Sequence, residues 1–131
     1  MTDLFPDRFM FRYEVTDRGY LFYLQWKDNN LFLKQFSDNN IVIQELITPT
    51  PDEWNDFWYR MDEIRIWDWY QLYEVKCMDS CVEGDQWELN IEFDEEQIES
   101  QGSDSYPSTF REFVQAIEEL TGILIEFIHE Y

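Results

Sequence analysis

The chain has 131 residues, 44% of them hydrophobic and 19% aromatic, with 29 acids, nine bases and a formal net charge of −20. That length and apolar content suit one globular domain, 1–131, and exclude a disordered chain, because apolar surface is ample to offset chain entropy. So large a negative charge repels nucleic-acid phosphates and anionic membrane surfaces and attracts basic proteins or cations, so direct DNA or RNA binding is not expected.

The opening MTDLFPDRFMFRYEV carries Asp3 and Asp7 and has no basic leader before an uninterrupted apolar core, unlike a secretory signal. No apolar run approaches the ~20 residues of a membrane-spanning helix. The expectation is a cytoplasmic protein with no membrane partner.

The first third alternates with period two. Phe9, Phe11, Tyr13 and Val15 interleave with Arg8, Met10, Arg12 and Glu14; a Thr16-Asp17-Arg18-Gly19 turn leads into a second run from Tyr20 to Trp26. Asp28-Asn29-Asn30 and Ser37-Asp38-Asn39-Asn40 have the chemistry of left-handed turns and bracket Leu31 to Phe36 before Ile41 to Ile47. Four short-looped, antiparallel strands follow from this pattern.

The period then changes. Thr50 is placed as N-cap, Pro51 at the first helical position and Glu53 three residues beyond the cap, with Trp54, Phe57, Trp58 and Met61 at helical spacing. A helix over 51–64 is predicted, its acids facing away from the apolar stripe. Residues 66–82 support either a strand or an irregular packed segment; strand is preferred, which leaves room for an extra strand at 66–76.

Cys77 and Cys81 are the only cysteines and His129 the only histidine. Two cysteines amid many aromatics read as a core-dependent protein, and the ligands for a metal centre are too few. No metal and no cofactor are expected. The run Asp79 to Gly84 fails as a calcium loop, because Cys81 takes a ligand position and Asn90 stands where the bidentate glutamate belongs.

After a Glu83-Gly84-Asp85 turn, Trp87, Leu89, Ile91 and Phe93 alternate with Glu88, Asn90, Glu92 and Asp94 in a half-buried strand. Asp94-Glu95-Glu96 turns the chain back through Gln97 to Ser100. The stretch from Glu99 to Phe110 reads as a joint: Gly102, Ser103 and Asp104 change direction and Pro107 sets the approach to a helix over 109–121. Thr109 and Glu112 form its capping box, Phe110, Phe113, Val114, Ile117 and Leu120 its stripe, and Gly122 its stop. The fold class is therefore α+β: a mostly antiparallel sheet of about six strands in the order β-β-β-β-α-β-β-α, with both amphipathic helices packed on it.

The series Trp67-x-Trp69-x-x-x-Tyr73, Gly84-x-x-Trp87-x-Leu89-x-Ile91 and Ser100-x-Gly102-Ser103-x-Ser105-Tyr106-Pro107, followed by Phe110 and Phe113, resembles a set of small uncharacterised bacterial proteins. In these a tryptophan-led strand precedes a Gly-Ser-x-Ala-Tyr-Pro loop and a helix; Ser105 departs from the alanine but keeps the small-residue role. The resemblance covers about the second half of the chain. It implies a shared fold and a bacterial or phage-like context, and no catalytic residue.

For catalysis, a nucleophile elbow and a phosphate-cradling loop are both missing, and no nucleophile has a base beside it. Carboxylate pairs beside tryptophans would suit a glycosidase, but among 29 acids such pairs arise by chance. The favoured function is a small non-catalytic interaction module (inhibitor, immunity-type or adaptor) engaging a basic protein surface. Residues 48–131 carry 22 acids and four bases, a net of −18, whereas residues 1–47 carry seven acids and five bases, a net of −2. Glu88, Glu92, Asp94, Glu95 and Glu96 are the candidate surface. Alternate strand carboxylates stand roughly 6.5 to 7 Å apart, about twice the rise per nucleotide of one DNA strand, so nucleic-acid mimicry is geometrically available. The other reading is a small-ligand-binding or hydrolytic domain with a pocket at Trp67, Trp69, Tyr73 and Tyr106.

Overall fold

Residues 4–74 and 85–126 are described by the computed structural model. The period-two segments become β1 (Arg8–Val15), β2 (Tyr20–Lys27), β3 (Asn30–Ser37) and β4 (Asn40–Ile47), followed by helix α1 (Pro51–Glu63). Beyond it lie β5 (Leu72–Glu74), β6 (Asp85–Phe93), β7 (Glu96–Ser103) and α2 (Phe110–Thr121). The strands form one seven-stranded sheet in the order β4-β3-β2-β1-β6-β7-β5, antiparallel except where β5 runs parallel to β7. Cys77, Cys81, His129 and the failed calcium loop's Asp79 to Gly84 lie outside the described residues.

Three two-residue hairpins set the register. Asp28-Asn29, Asp38-Asn39 and Asp94-Glu95 all have positive φ at both central residues, as the twist-compatible hairpin turn demands. Asn30 and Asn40 each donate a side-chain hydrogen bond to the carbonyl two residues back, Asp28 and Asp38, locking the first two turns.

One sheet face is sealed by the helices. Phe9, Phe11, Tyr13, Tyr20, Phe22, Leu24, Trp87, Leu89 and Ile91 are all buried there. Phe11 meets Phe113 edge-on with centroids 5.0 Å apart, Phe9 meets Phe57 at 5.7 Å, and Trp58 stacks on Phe93 at 3.9 Å. Burying each such side chain contributes about 1.5–3 kcal/mol, so this aromatic layer supplies much of the driving force. The described side chains of the opposite face are half-buried or exposed. The α1 capping box forms as expected: Thr50 Oγ1 accepts from the Glu53 N–H at 3.1 Å, and the Glu53 carboxylate accepts from the Thr50 N–H at 2.9 Å.

Four local expectations are corrected. Among the described residues Ile66–Asp68 is a single 3-10 turn and the extra strand is confined to β5, with Arg65 at φ 55° redirecting the chain after α1; positions 75–82 of that segment lie outside the described residues. Asp85 opens β6, opposite Val15, where a turn was expected. β7 continues through Ser103, since Gly102 pairs with Trp87; only Asp104, at φ 51°, turns the chain. The α2 capping box is absent: the Thr109 hydroxyl accepts from the Trp69 indole N–H at 3.0 Å and donates to the Ile64 carbonyl at 3.3 Å. A tertiary bond to the end of α1 has taken the group that would have capped α2.

The chain after α2 is pinned through Tyr20, whose hydroxyl donates to Gln35 Oε1 at 2.5 Å and accepts from the Glu126 N–H at 3.0 Å. Burial pushes this phenol well above the usual tyrosine range; the Glu126 N–H bond opposes the shift, and the Glu126 and Glu118 carboxylates add to it. The folded state thus keeps a proton that the unfolded chain releases above pH ~10. Its stabilising effect is complete below that pH and is lost as pH rises toward the folded value. Thermal melts taken from pH ~8 to ~11 should fall in the upper part of the range, and Tyr20→Phe should flatten that part of the curve relative to the parent. Parallel curves for the two proteins would refute the assignment.

Candidate functional site

Side chains at alternate positions of β1, β2, β3 and β6 project from the sheet face opposite the helices. Glu88 and Glu92 lie there, and the register sets them directly opposite Arg12 and Arg8 of β1. Arg12 Nη2 approaches Glu88 Oε2 to 3.8 Å. Lys34 sits on the same face two strands further on, across Tyr23 from Arg12. The strand's acidic face is therefore opposed by bases that a reading of β6 alone does not include. Asp94 and Glu95 form the exposed hairpin tip, and Glu96 begins β7 beside them.

The helices' carboxylates lie on the other side of the sheet. Asp52, Asp56, Asp62 and Glu63 are exposed along α1, and Glu112 and Glu119 along α2. Few bases answer them. Arg60 is engaged by Glu119 in an ion pair joining the two helices. The strand acids and the helix acids thus belong to opposite surfaces of the sheet.

The aromatic pocket is assembled in part. A groove of about 420 Å³ opens where the end of α1 meets the connector before α2, and Trp69, Tyr73 and Tyr106 line it with Arg65 and Tyr70. Trp67 is left out and donates its indole N–H to Asp62 Oδ1 at 3.0 Å. Each of the three expected rings that reach the groove has its polar end hydrogen-bonded within the protein. Trp69 bonds Thr109, Tyr73 Oη accepts from the Tyr70 N–H at 2.9 Å, and Tyr106 donates to Asp85 Oδ2 at 3.0 Å. Ligand pockets aim a few polar groups at their occupant; those of Trp69 and Tyr106 are spent on Thr109 and Asp85 instead.

Asp85 is the residue that sequence reasoning missed. It is only 3% exposed, and its Oδ2 accepts hydrogen bonds from both Tyr13, at 2.6 Å, and Tyr106. Asp104 closes the arrangement, its Oδ1 accepting from the Asp85 N–H at 2.9 Å while its own N–H donates to the Asp85 carbonyl at 3.0 Å. The signal available was Val82-Glu83-Gly84-Asp85 leading into an alternating strand, which reads equally as a turn.

Among the described residues no three His, Cys, Asp or Glu side chains cluster as metal ligands, and no helix is long and apolar enough to cross a membrane. No protein-family model matches the chain, and comparisons with curated proteins and with solved structures likewise returned no significant match.

Proposed function

We propose that the protein is a non-catalytic interaction module of the inhibitor, immunity or adaptor kind, acting in a bacterial cytoplasm, whose acidic helix layer engages a basic surface on a partner protein. The supporting observation is the placement of the carboxylates: those of α1 and α2 are exposed with few bases beside them, while Glu88 and Glu92 face arginines. An unopposed field of one sign attracts an opposite surface and speeds its encounter. The engagement of Trp69 by Thr109 and of Tyr106 by Asp85 weighs against the ligand-binding alternative. The hairpin tip at Asp94, Glu95 and Glu96 extends the acidic surface at one end of the sheet. Nucleic-acid mimicry is the special case in which the partner surface ordinarily holds phosphates, and competition by a DNA oligonucleotide would reveal it.

The experiment compares two variants against a partner recovered by affinity capture from a bacterial lysate. Asp52→Asn with Asp56→Asn and Glu63→Gln removes three exposed helix charges; Glu88→Gln with Glu92→Gln removes two strand charges set opposite arginines. The helix variant should bind at least about tenfold more weakly at low salt, with the gap closing as salt screens the field over a Debye length of ~8 Å. The strand variant should change affinity far less. Melting of the helix variant should stay within a few degrees of the parent, because exposed charges contribute little to folding. Affinity that is the same for all three proteins at both salt concentrations would reduce the acidity to a solubilising coat.

A further inference from the structure

Among the described residues β4 ends the sheet; its one irregularity is a bulge at Val42, opposite Gln35 and Phe36, and Ile43 to Ile47 pair regularly with β3. It is eight residues long, has no proline and carries one charge, Glu45. Ile41, Val42 and Leu46 are 53%, 54% and 53% exposed, and Phe32, opposite Leu46 on β3, is 40% exposed. A long edge with unpaired backbone groups and apolar side chains is a template for another strand, which is why such edges are commonly short, charged or interrupted by proline. At the far edge, β5 has three residues among those described.

We propose that β4 pairs antiparallel with the β4 of a second copy, about a two-fold axis through Gln44. Charge selects the occupant. Residues 1–47 carry a net −2 of the total −20, so β4 lies in the region where a second, equally acidic chain meets least repulsion. A basic foreign partner finds one carboxylate there and many on the helices. Pairing at β4 also holds the acid-rich strands apart: β6 is four strands away from β4, so the two β6 strands stand about 40 Å from each other, several Debye lengths.

Side-chain pattern selects the register. Centring on Glu45 would oppose two carboxylates directly. Centring on Gln44 opposes the two Gln44 amides, which can exchange hydrogen bonds, and brings the bulged Val42 of each chain beside the partner's Leu46. The exposed pair Phe32 and Leu46 then continues across the axis as one apolar row, and its symmetry mate does the same. Because directly opposed residues point to the same side, both helix layers lie on one face of the joined sheet, and the assembly offers two acidic surfaces side by side.

Sedimentation velocity at tens of micromolar, a range set by ordinary dimer affinities, tests this. The parent should run at about 32 kDa, twice the 16.2 kDa chain. Gln44→Glu and Gln44→Lys, each placing like charges on the axis, should both run near 16.2 kDa, with melting curves showing that each remains folded. An equimolar mixture of the two should recover the dimer, because only this register puts residue 44 opposite itself. Added salt should tighten the parent dimer by screening repulsion between the copies, the reverse of its effect on a basic partner, so this proposal and the proposed function can fail separately. A monomeric parent, dimeric variants, or a mixture that stays monomeric would each overturn it; a monomer that captures another protein's strand at β4 would assign the edge to a foreign partner.

Discussion

Gly102→Ala is expected to lower stability by roughly 2–6 kcal/mol, the sum of an overpacking penalty of about 1–3 and a buried donor left without its acceptor at a similar cost. A Cβ there would stand 2.4 Å from Trp87 Nε1 and 2.6 Å from the Ser105 carbonyl oxygen, the two atoms joined by a 2.8 Å hydrogen bond. Neither can move cheaply. Trp87 is 2% exposed and packs against Trp69, Tyr73 and Phe110, while the Ser105 oxygen belongs to the backbone connecting β7 to α2. At this length each kcal/mol lowers the melting temperature by about 3–4 °C, so thermal denaturation should show a loss on the order of 10–20 °C. Gly122→Ala is the control, because its Cβ meets nothing within 4 Å and only the left-handed φ of 75° opposes it. That change should cost about 1–2 kcal/mol. If Gly102→Ala costs no more than the control, the close approach of Trp87 is not what demands glycine.

Asp85→Ala is expected to cost about 2–5 kcal/mol, because it removes the acceptor shared by two phenols in a buried setting, each worth roughly 1–3 kcal/mol when a donor loses its partner. Asp85→Asn keeps an oxygen of the same shape in place and should cost less than half as much. The pair of variants separates hydrogen bonding from charge: equal losses in both would mean that the carboxylate's charge matters, not its position. Chemical denaturation with a single melting probe suffices, and the Tyr106→Phe variant should reproduce a part of the Asp85→Ala loss. A change under about 0.5 kcal/mol for Asp85→Ala would show that the network is incidental, as surface changes usually are.

The elements that one local rule determines were legible in advance. Alternation specified β1 to β4 and β6, Asp-Asn turns marked two hairpins, and the cap at Thr50 with Pro51 and Glu53 located α1 to within a residue. What was not legible depends on residues far apart in the chain. Thr109 has the local chemistry of a cap, yet the Trp69 indole, 40 residues away, takes its hydroxyl. Glu88 and Glu92 read as one acidic face until β1 is set beside β6, which brings in Arg12 and Arg8 from more than 70 positions earlier. The groove was half legible for the same reason: Trp67 and Trp69 are two residues apart, but the 3-10 turn sends one indole to α1 and the other under α2.

The pairing of β1 with β6 also divides the sheet by how soon each part can form. The hairpins of β1 through β4 and of β6 with β7 close over two or four residues and need nothing distant. Val15 and Asp85, at the near end of the β1–β6 ladder, are separated by 69 residues, all of which are constrained when the ladder closes. By loop-closure scaling that step costs roughly 3 kcal/mol more in chain entropy than a two-residue hairpin. Two halves of a sheet, each quick to assemble, thus wait on a single slow seam, and the aromatic layer of α1 and α2 can condense fully only after it has closed. The seam is where the time taken to fold is decided.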